Sequence, residues 1–162
     1  MAKPRKIKRL SPDDSPERAA SRILLTRLAE FYSHWPDPDQ TPTLGQLHDM
    51  RISGKRLRYS AESLRELYPD RLALLIELLK RSQDSLGEIQ DCVTQREMIR
   101  RSLARMKKDG AKIAALARLI AEYDQRQTTL FAQFREIWRG MAMQEFRRGL
   151  KVMVSRTRVT PD

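Results

Sequence analysis

Four stretches of this chain repeat apolar residues at steps of three and four, the period of a helix with one face turned to a core. The first opens at Ser15-Pro16-Glu17, with serine as N-cap and proline in the first turn, and runs to about Tyr32 with Ala20, Leu24, Leu28 and Phe31 inward. His34 reads as a helix-end residue, and the three prolines of the following PDPDQTP force a break. Thr43 is placed to cap the second helix, whose seam is Leu47, Met50, Gly54, Leu57, Ala61, Leu64 and Tyr68, with an expected end at Tyr68-Pro69. Gly54 inside that seam costs about 1 kcal/mol against alanine, which predicts a tight helix crossing. The third seam is Leu72, Leu75, Leu79, Leu86, Ile89 and Val93, then shifts to Cys92, Ile99, Leu103 and Met106. With Gly87, that shift predicts a kink or a change of packing partner. After Asp109-Gly110 comes the most regular seam, Ile113, Leu116, Ile120, Tyr123, Gln127, Leu130, Phe134, Ile137 and Met141. Gln127 interrupts it as a polar register residue, and Trp138 is expected to cover the bundle end. Short connections between amphipathic helices predict an all-α fold, an antiparallel four-helix bundle over residues 15–150. Residues 1–14 read as a disordered basic arm and 151–162 as a basic tail.

The second helix carries another message. His48, Arg51, Lys55 and Arg58 stand about 120° around from its seam as a basic rail, with Glu62 continuing the row. Solvated helices usually mix acids with bases at i, i+4, because like charges there repel. Here Arg51 and Lys55, then Lys55 and Arg58, are neighbours in one line. On spacing alone two readings stay open: a solvated face whose acids come from other helices, or a row of cations that takes an anion. On the third helix Lys80, Asp84, Gly87 and Asp91 form a line, and the two aspartates are expected to hold the rail cations extended through salt bridges. Ser82 and Gln83 are placed to hydrogen-bond toward the rail helix or to sit at a tolerated boundary. Arg96, Arg100, Arg101, Arg105, Lys107 and Lys108 serve the helix C-terminus or extend the anion path.

Charge sharpens the picture by its location. The net charge is +11, but residues 1–10 hold five Lys/Arg and no acid, and 139–162 hold six against two. The stretch between them has 21 basic and 19 acidic residues, so the basicity belongs to the tails. A specific anion site in the fold must come from local patterning. One cysteine excludes an internal disulfide and a thiolate metal cluster. No apolar run approaches the roughly 18 residues that span a bilayer, and no signal peptide is visible, so a cytoplasmic location is expected.

His48-Asp49-Met50-Arg51, Lys55-Arg56-Leu57-Arg58-Tyr59, then Leu79-Lys80, Gln83, Leu86-Gly87 and Asp91 resemble the signature of the CHAD domain, the conserved-histidine α-helical domain. The order HxxR, KRLRY, LKxxQxxLGxxxD is similar to the C-terminal half of that domain, and the resemblance reaches more loosely from about Ser15 to Gly149. It implies an all-helical binder of inorganic polyphosphate. The family usually has two such halves in one chain, and one copy is found here.

The residue chemistry suits that ligand. Arginine forks grip phosphate oxygens in pairs, lysine supplies a point charge, and histidine adds a donor that turns cationic below about pH 6.5. Rail residues rise about 5 Å per turn, so a linear phosphate chain meets a cation at each turn. No glycine-rich phosphate loop is present, so side chains must do the binding. The expected site is His48, Arg51, Lys55, Arg58 and Lys80, with Tyr59 on its border. Arg56 is about 180° from the Gly54 side of the seam and is retained through its match to the family motif. No trusted serine–histidine–acid order and no paired carboxylates across a cleft argue for an enzyme. Asp84 and Asp91 offer too few converging oxygens for Mg²⁺, so no metal or cofactor is expected. Because one half supplies one rail, a homodimer is expected. Nucleic-acid binding through the tails and docking of an acidic protein partner are the alternatives.

Overall fold

The computed structural model describes residues 3–8, 10–35, 37, 39–68, 72–106 and 110–155. Among the described residues five α-helices follow one another without a strand: α1 Pro16–Tyr32, α2 Leu44–Ser63, α3 Ala73–Arg105, α4 Gly110–Ala142 and α5 Gln144–Ser155. The fold is all-α, as its periodicity predicts. Both expected helix starts are in place. The Ser15 side chain accepts from the Arg18 amide at 3.3 Å, with Pro16 behind it. Thr43 accepts from the Gln46 amide while the Gln46 side chain accepts from the Thr43 amide at 2.7 Å, a reciprocal capping box.

Contacts fix the directions. Gly54 lies against Phe31 and Arg56 reaches Glu30, whereas Tyr68, beyond the far end of α2, donates to the Glu17 carbonyl, so α1 and α2 run antiparallel. On the other side Gly54 approaches Gln83 and Arg51 lies beside Gly87, which makes α2 and α3 antiparallel. Ser82 touches Met141 while Arg96 bonds Asp124, so α3 and α4 are antiparallel as well.

Gly54 is where α2 is pinched. A Cβ built there meets Phe31 Cε2 at 3.1 Å. Phe31 has no room to retreat: it is 1% exposed and packs edge-on against Tyr32 and Trp138. Trp138 was expected at the bundle end but is wholly buried in an aromatic cluster, stacked on Trp35 and donating its indole N–H to the Trp35 carbonyl at 3.2 Å. A buried indole needs an acceptor, and the break after α1 supplies one.

Several boundaries differ from the periodic reading. α2 ends at Ser63, and the chain tightens into a 3-10 turn over Arg65–Leu67. Tyr68 precedes a proline, which disfavours the α region, and it sits at φ −136° with its ring buried. Its hydroxyl donates to the Val154 carbonyl at 3.0 Å. That contact belongs to α5, a separate helix that continues through 151–155, because Leu150 and Val154 are buried against the bundle. Residues 156–162 of the expected tail lie outside the described residues. In the expected arm, the Arg5 amide donates to Glu30 and its carbonyl accepts from Arg27 at 3.1 Å, which lays this segment along α1.

The most regular seam is not the best buried one. α3 and α4 have 33 residues each, against 17 and 20 in α1 and α2. Fully buried positions stop at Cys92 on α3 and begin at Phe134 on α4. α3 and α4 run on beyond Arg96 and Asp124, which still line a depression with Thr41, Leu44 and Leu47. Out there Ile99, Leu103, Leu116 and Ile120 cover one another and remain half-exposed. The shift of seam after Val93 follows Cys92, the last fully buried residue of α3.

Gly54→Val is expected to lower stability by about 2 kcal/mol, since overpacking against Phe31 outweighs the gain in helix propensity. Thermal denaturation followed by circular dichroism checks this, and an unchanged or higher Tm would show that the crossing is not tight.

Candidate functional site

The buried residues of α2 are Leu47, Met50, Ser53, Gly54, Leu57 and Ala61. His48, Arg51, Lys55 and Arg58 follow them around the helix on the side that meets α3, and all four are half-buried. The α2 flank of the α2–α3 seam, called the groove below, thus carries a row of cations, with Arg51 lying against Gly87. The antiparallel register set by Gly54–Gln83 and Arg51–Gly87 brings Lys80 level with Arg58 on the opposite bank, where it is exposed.

Arg51 lies across Gly87, its Nε 4.0 Å from where a Cβ would stand. That Nε is buried and has no hydrogen-bond partner, and the same holds for Arg58 Nε. Arg58 pairs with Glu62 at 3.4 Å, one turn along on its own helix, and its guanidinium lies over the exposed Tyr59 ring at 4.7 Å. Among the described residues His48, Arg51, Lys55 and Lys80 have no acidic partner. Four helix-borne cations and a histidine, of which only Arg58 is paired with a carboxylate among the described residues, can hold an extended anion with several negative centres.

A family model described as the CHAD domain matches residues 2–100. The chain belongs to the CHAD family. The match takes in α1, α2 and most of α3, and so both banks of the groove. The CHAD domain is in general a binding module, and the family is associated with polyphosphate binding. No curated protein and no solved structure matches the chain.

Within the CHAD signature one cation stands apart. Arg56 faces α1, where it bonds Glu30 at 2.5 Å. Glu30 is 2% exposed and also takes Arg27 at 2.7 Å and the Arg5 amide at 3.3 Å. This hub joins the arm, α1 and α2, so Arg56 is engaged in holding the fold. The i, i+3 spacing to Arg27 was visible in α1, but the partners that make Glu30 a hub, Arg56 and the Arg5 amide, come from other segments.

The expected supporting contacts are arranged differently. Among the described residues neither Asp84 nor Asp91 forms a salt bridge with a rail cation; both side chains face solvent at the groove edge. Ser82 donates to the Leu78 carbonyl and to Met141 Sδ, toward α4 and away from the rail. Gln83 is buried beside Gly54 with its Nε2 unpartnered, so it does not bridge to the rail either. Arg96 does not extend the row: it bonds Asp124 and Gln127 of α4, which also explains the polar interruption at Gln127. Arg101 pairs with Glu97 at 3.1 Å, Arg100 and Arg105 are exposed, and Lys107 and Lys108 lie outside the described residues. Gly87 has a place that a helical wheel does not display: the Arg51 side chain lies over it, with Nε 4.0 Å from where a Cβ would stand.

Among the described residues no helix is long and apolar enough to cross a membrane.

Burial pushes the Glu30 carboxyl upward, but the bonds from Arg27, Arg56 and the Arg5 amide outweigh it and hold its pKa below the ordinary 4.5. A group depressed in this way gives stability that is full above the unfolded pKa and is lost as the pH falls through the folded one. Denaturant titrations between pH 7 and pH 3 are expected to show an acid limb that Glu30→Gln makes shallower. The same substitution is expected to cost roughly 3 kcal/mol at pH 7, because it leaves two arginines short of their buried partner. Equal stability of both proteins at pH 7 would refute the hub.

Proposed function

We propose that this CHAD-family chain binds inorganic polyphosphate in the groove between α2 and α3 and carries out no catalysis. The observation that supports this most strongly is the pair of buried, unpartnered guanidinium nitrogens, Arg51 Nε and Arg58 Nε, in a row with His48 and Lys55 that is poor in acids. A phosphate chain laid along α2 supplies acceptors to these donors at each helical turn, about 5 Å apart. Lys80 closes the groove from α3, and Tyr59 borders it with its ring held against Arg58. Arg56 contributes indirectly, by docking α2 on α1 through Glu30. Recognition rests on charge density and on the width of the groove, with no base contacts.

Two copies of the chain would restore the two rails of the usual CHAD arrangement, and we place this homodimer in the cytoplasm. Sedimentation showing a monomer at every working concentration would remove the dimer and leave the groove untouched.

Nucleic-acid binding is the second reading, favoured by the five Lys/Arg among the first ten residues. Both ligands weaken with salt. The two are separated by deleting residues 1–10 and 156–162, which is expected to abolish nucleic-acid affinity and to leave polyphosphate affinity largely intact.

Calorimetric titration with polyphosphate of defined length is expected to show about a hundredfold loss of affinity in Arg51→Glu/Arg58→Glu, the scale of two charge-assisted hydrogen bonds. Equal binding by the charge-reversed protein would place the site elsewhere.

A further inference from the structure

On the opposite side of α1 from the groove, the N-terminal segment, α1 and α5 enclose a cleft of about 250 Å³ lined by Arg5, Leu28, Ala29, Tyr32, Ser33, Arg147 and Lys151. It opens through Arg5 and Ala29 into a shallower depression along Lys6, Lys8, Arg22 and Leu25. The cleft combines two features that the rail lacks. Its floor is apolar, made of Leu28, Ala29 and the edge of Tyr32, and its rim is cationic from two separate segments. Arg5 comes from the arm, while Arg147 and Lys151 are i, i+4 on α5 and repel each other.

No acid relieves them. Among the described residues the side chains of Arg5, Lys6, Lys8, Arg147 and Lys151 form no ion pair. The acids close by are already committed: Glu30 to Arg27, Arg56 and the Arg5 amide, and Asp14 to Arg18 and Arg22. The Arg147 guanidinium lies 4.5 Å from the centre of the Tyr32 ring. A guanidinium backed by an aromatic ring in this way presents a flat cationic plate, a surface on which a purine stacks well.

We propose that this cleft is a second ligand site, for a nucleoside triphosphate. The base lies on the Arg147 plate over the apolar floor, and the phosphates run past Arg5 and Lys151 toward Lys6 and Lys8. Inorganic polyphosphate has no apolar body to cover the floor and is the poorer ligand here. The site is separate from the α2–α3 groove and does not depend on it.

The test uses the full chain and three probes: ATP, inorganic tripolyphosphate, and an alkyl phosphate with a ten-carbon chain. Each is titrated calorimetrically against the native protein, Arg51→Glu/Arg58→Glu, and Arg147→Glu/Lys151→Glu. In Arg51→Glu/Arg58→Glu, where the rail no longer competes, ATP is expected to bind about tenfold tighter than tripolyphosphate, the scale of one stacked base. Charge reversal on α5 is expected to remove this binding, and charge reversal on the rail to leave it. In case the α5 variant unfolds, amide chemical-shift mapping on the native chain gives the same answer: ATP is expected to shift Ala29, Ser33 and Arg147, and not Arg51 or Lys55. In Arg51→Glu/Arg58→Glu, tripolyphosphate binding as tightly as ATP or the alkyl phosphate binding more tightly than ATP would overturn the proposal, as would ATP shifts confined to the rail of the native chain.

Discussion

The close approach of α2 to both of its neighbours is the constraint on which the rest depends. At Gly54 the helix has no side chain, so Phe31 of α1 reaches its backbone on one side and Gln83 of α3 on the other. With α2 seated this deeply, its next face falls at the mouth of the seam with α3. The cations there are half-buried as a result and cannot wave freely in solvent. A second glycine completes the arrangement. Gly87 of α3 lies under the Arg51 side chain, whose Nε is buried and has no hydrogen-bond partner. The cost of an unpartnered buried donor is of the order of 1–3 kcal/mol, which the proposed anion would relieve.

The same seating requires a counterweight. A helix carrying so many cations on one flank is held against α1 by opposite charge, and Glu30 provides it. One buried carboxylate gathers Arg27, Arg56 and the Arg5 amide, so α1, α2 and the N-terminal segment meet at a single acid. Arg56 and Arg58 are two residues apart and do different work because a helix turns them to different neighbours. Arg56 stabilises the scaffold, whereas Arg58 stands in the groove with only Glu62 beside it.

Periodicity was a good guide wherever one helix face decided the outcome. The all-α class, the caps at Ser15 and Thr43, the tight crossing at Gly54 and the inward row of α1 were all legible, because each depends on residues within a turn or two of one another. What lay beyond reach depended on pairing across the chain. Asp84 and Asp91 have the right spacing to brace the rail, yet spacing does not say which way a neighbouring helix is rolled, and they face solvent. Trp138 looked peripheral on the wheel because its indole finds its acceptor at Trp35, more than a hundred residues earlier. The seam of α4 was the most regular of all, yet its fully buried positions begin only at Phe134, since regularity records that a helix has one apolar face and not how deeply that face is covered. α5 was underestimated for a similar reason. Its short amphipathic stretch gains its place from Tyr68 and Tyr32, which sequence distance keeps out of view.

The central claim is that an extended phosphate anion occupies the α2–α3 groove and touches both banks at once. Lysine reactivity read by mass spectrometry tests this directly, because Lys55 stands on one bank and Lys80 on the other, while Lys151 lies on α5 across the molecule. In the presence of a polyphosphate of defined length, Lys55 and Lys80 are expected to lose reactivity together while Lys151 keeps most of its own. Protection of Lys151 and the N-terminal lysines with Lys55 and Lys80 unchanged would contradict the account.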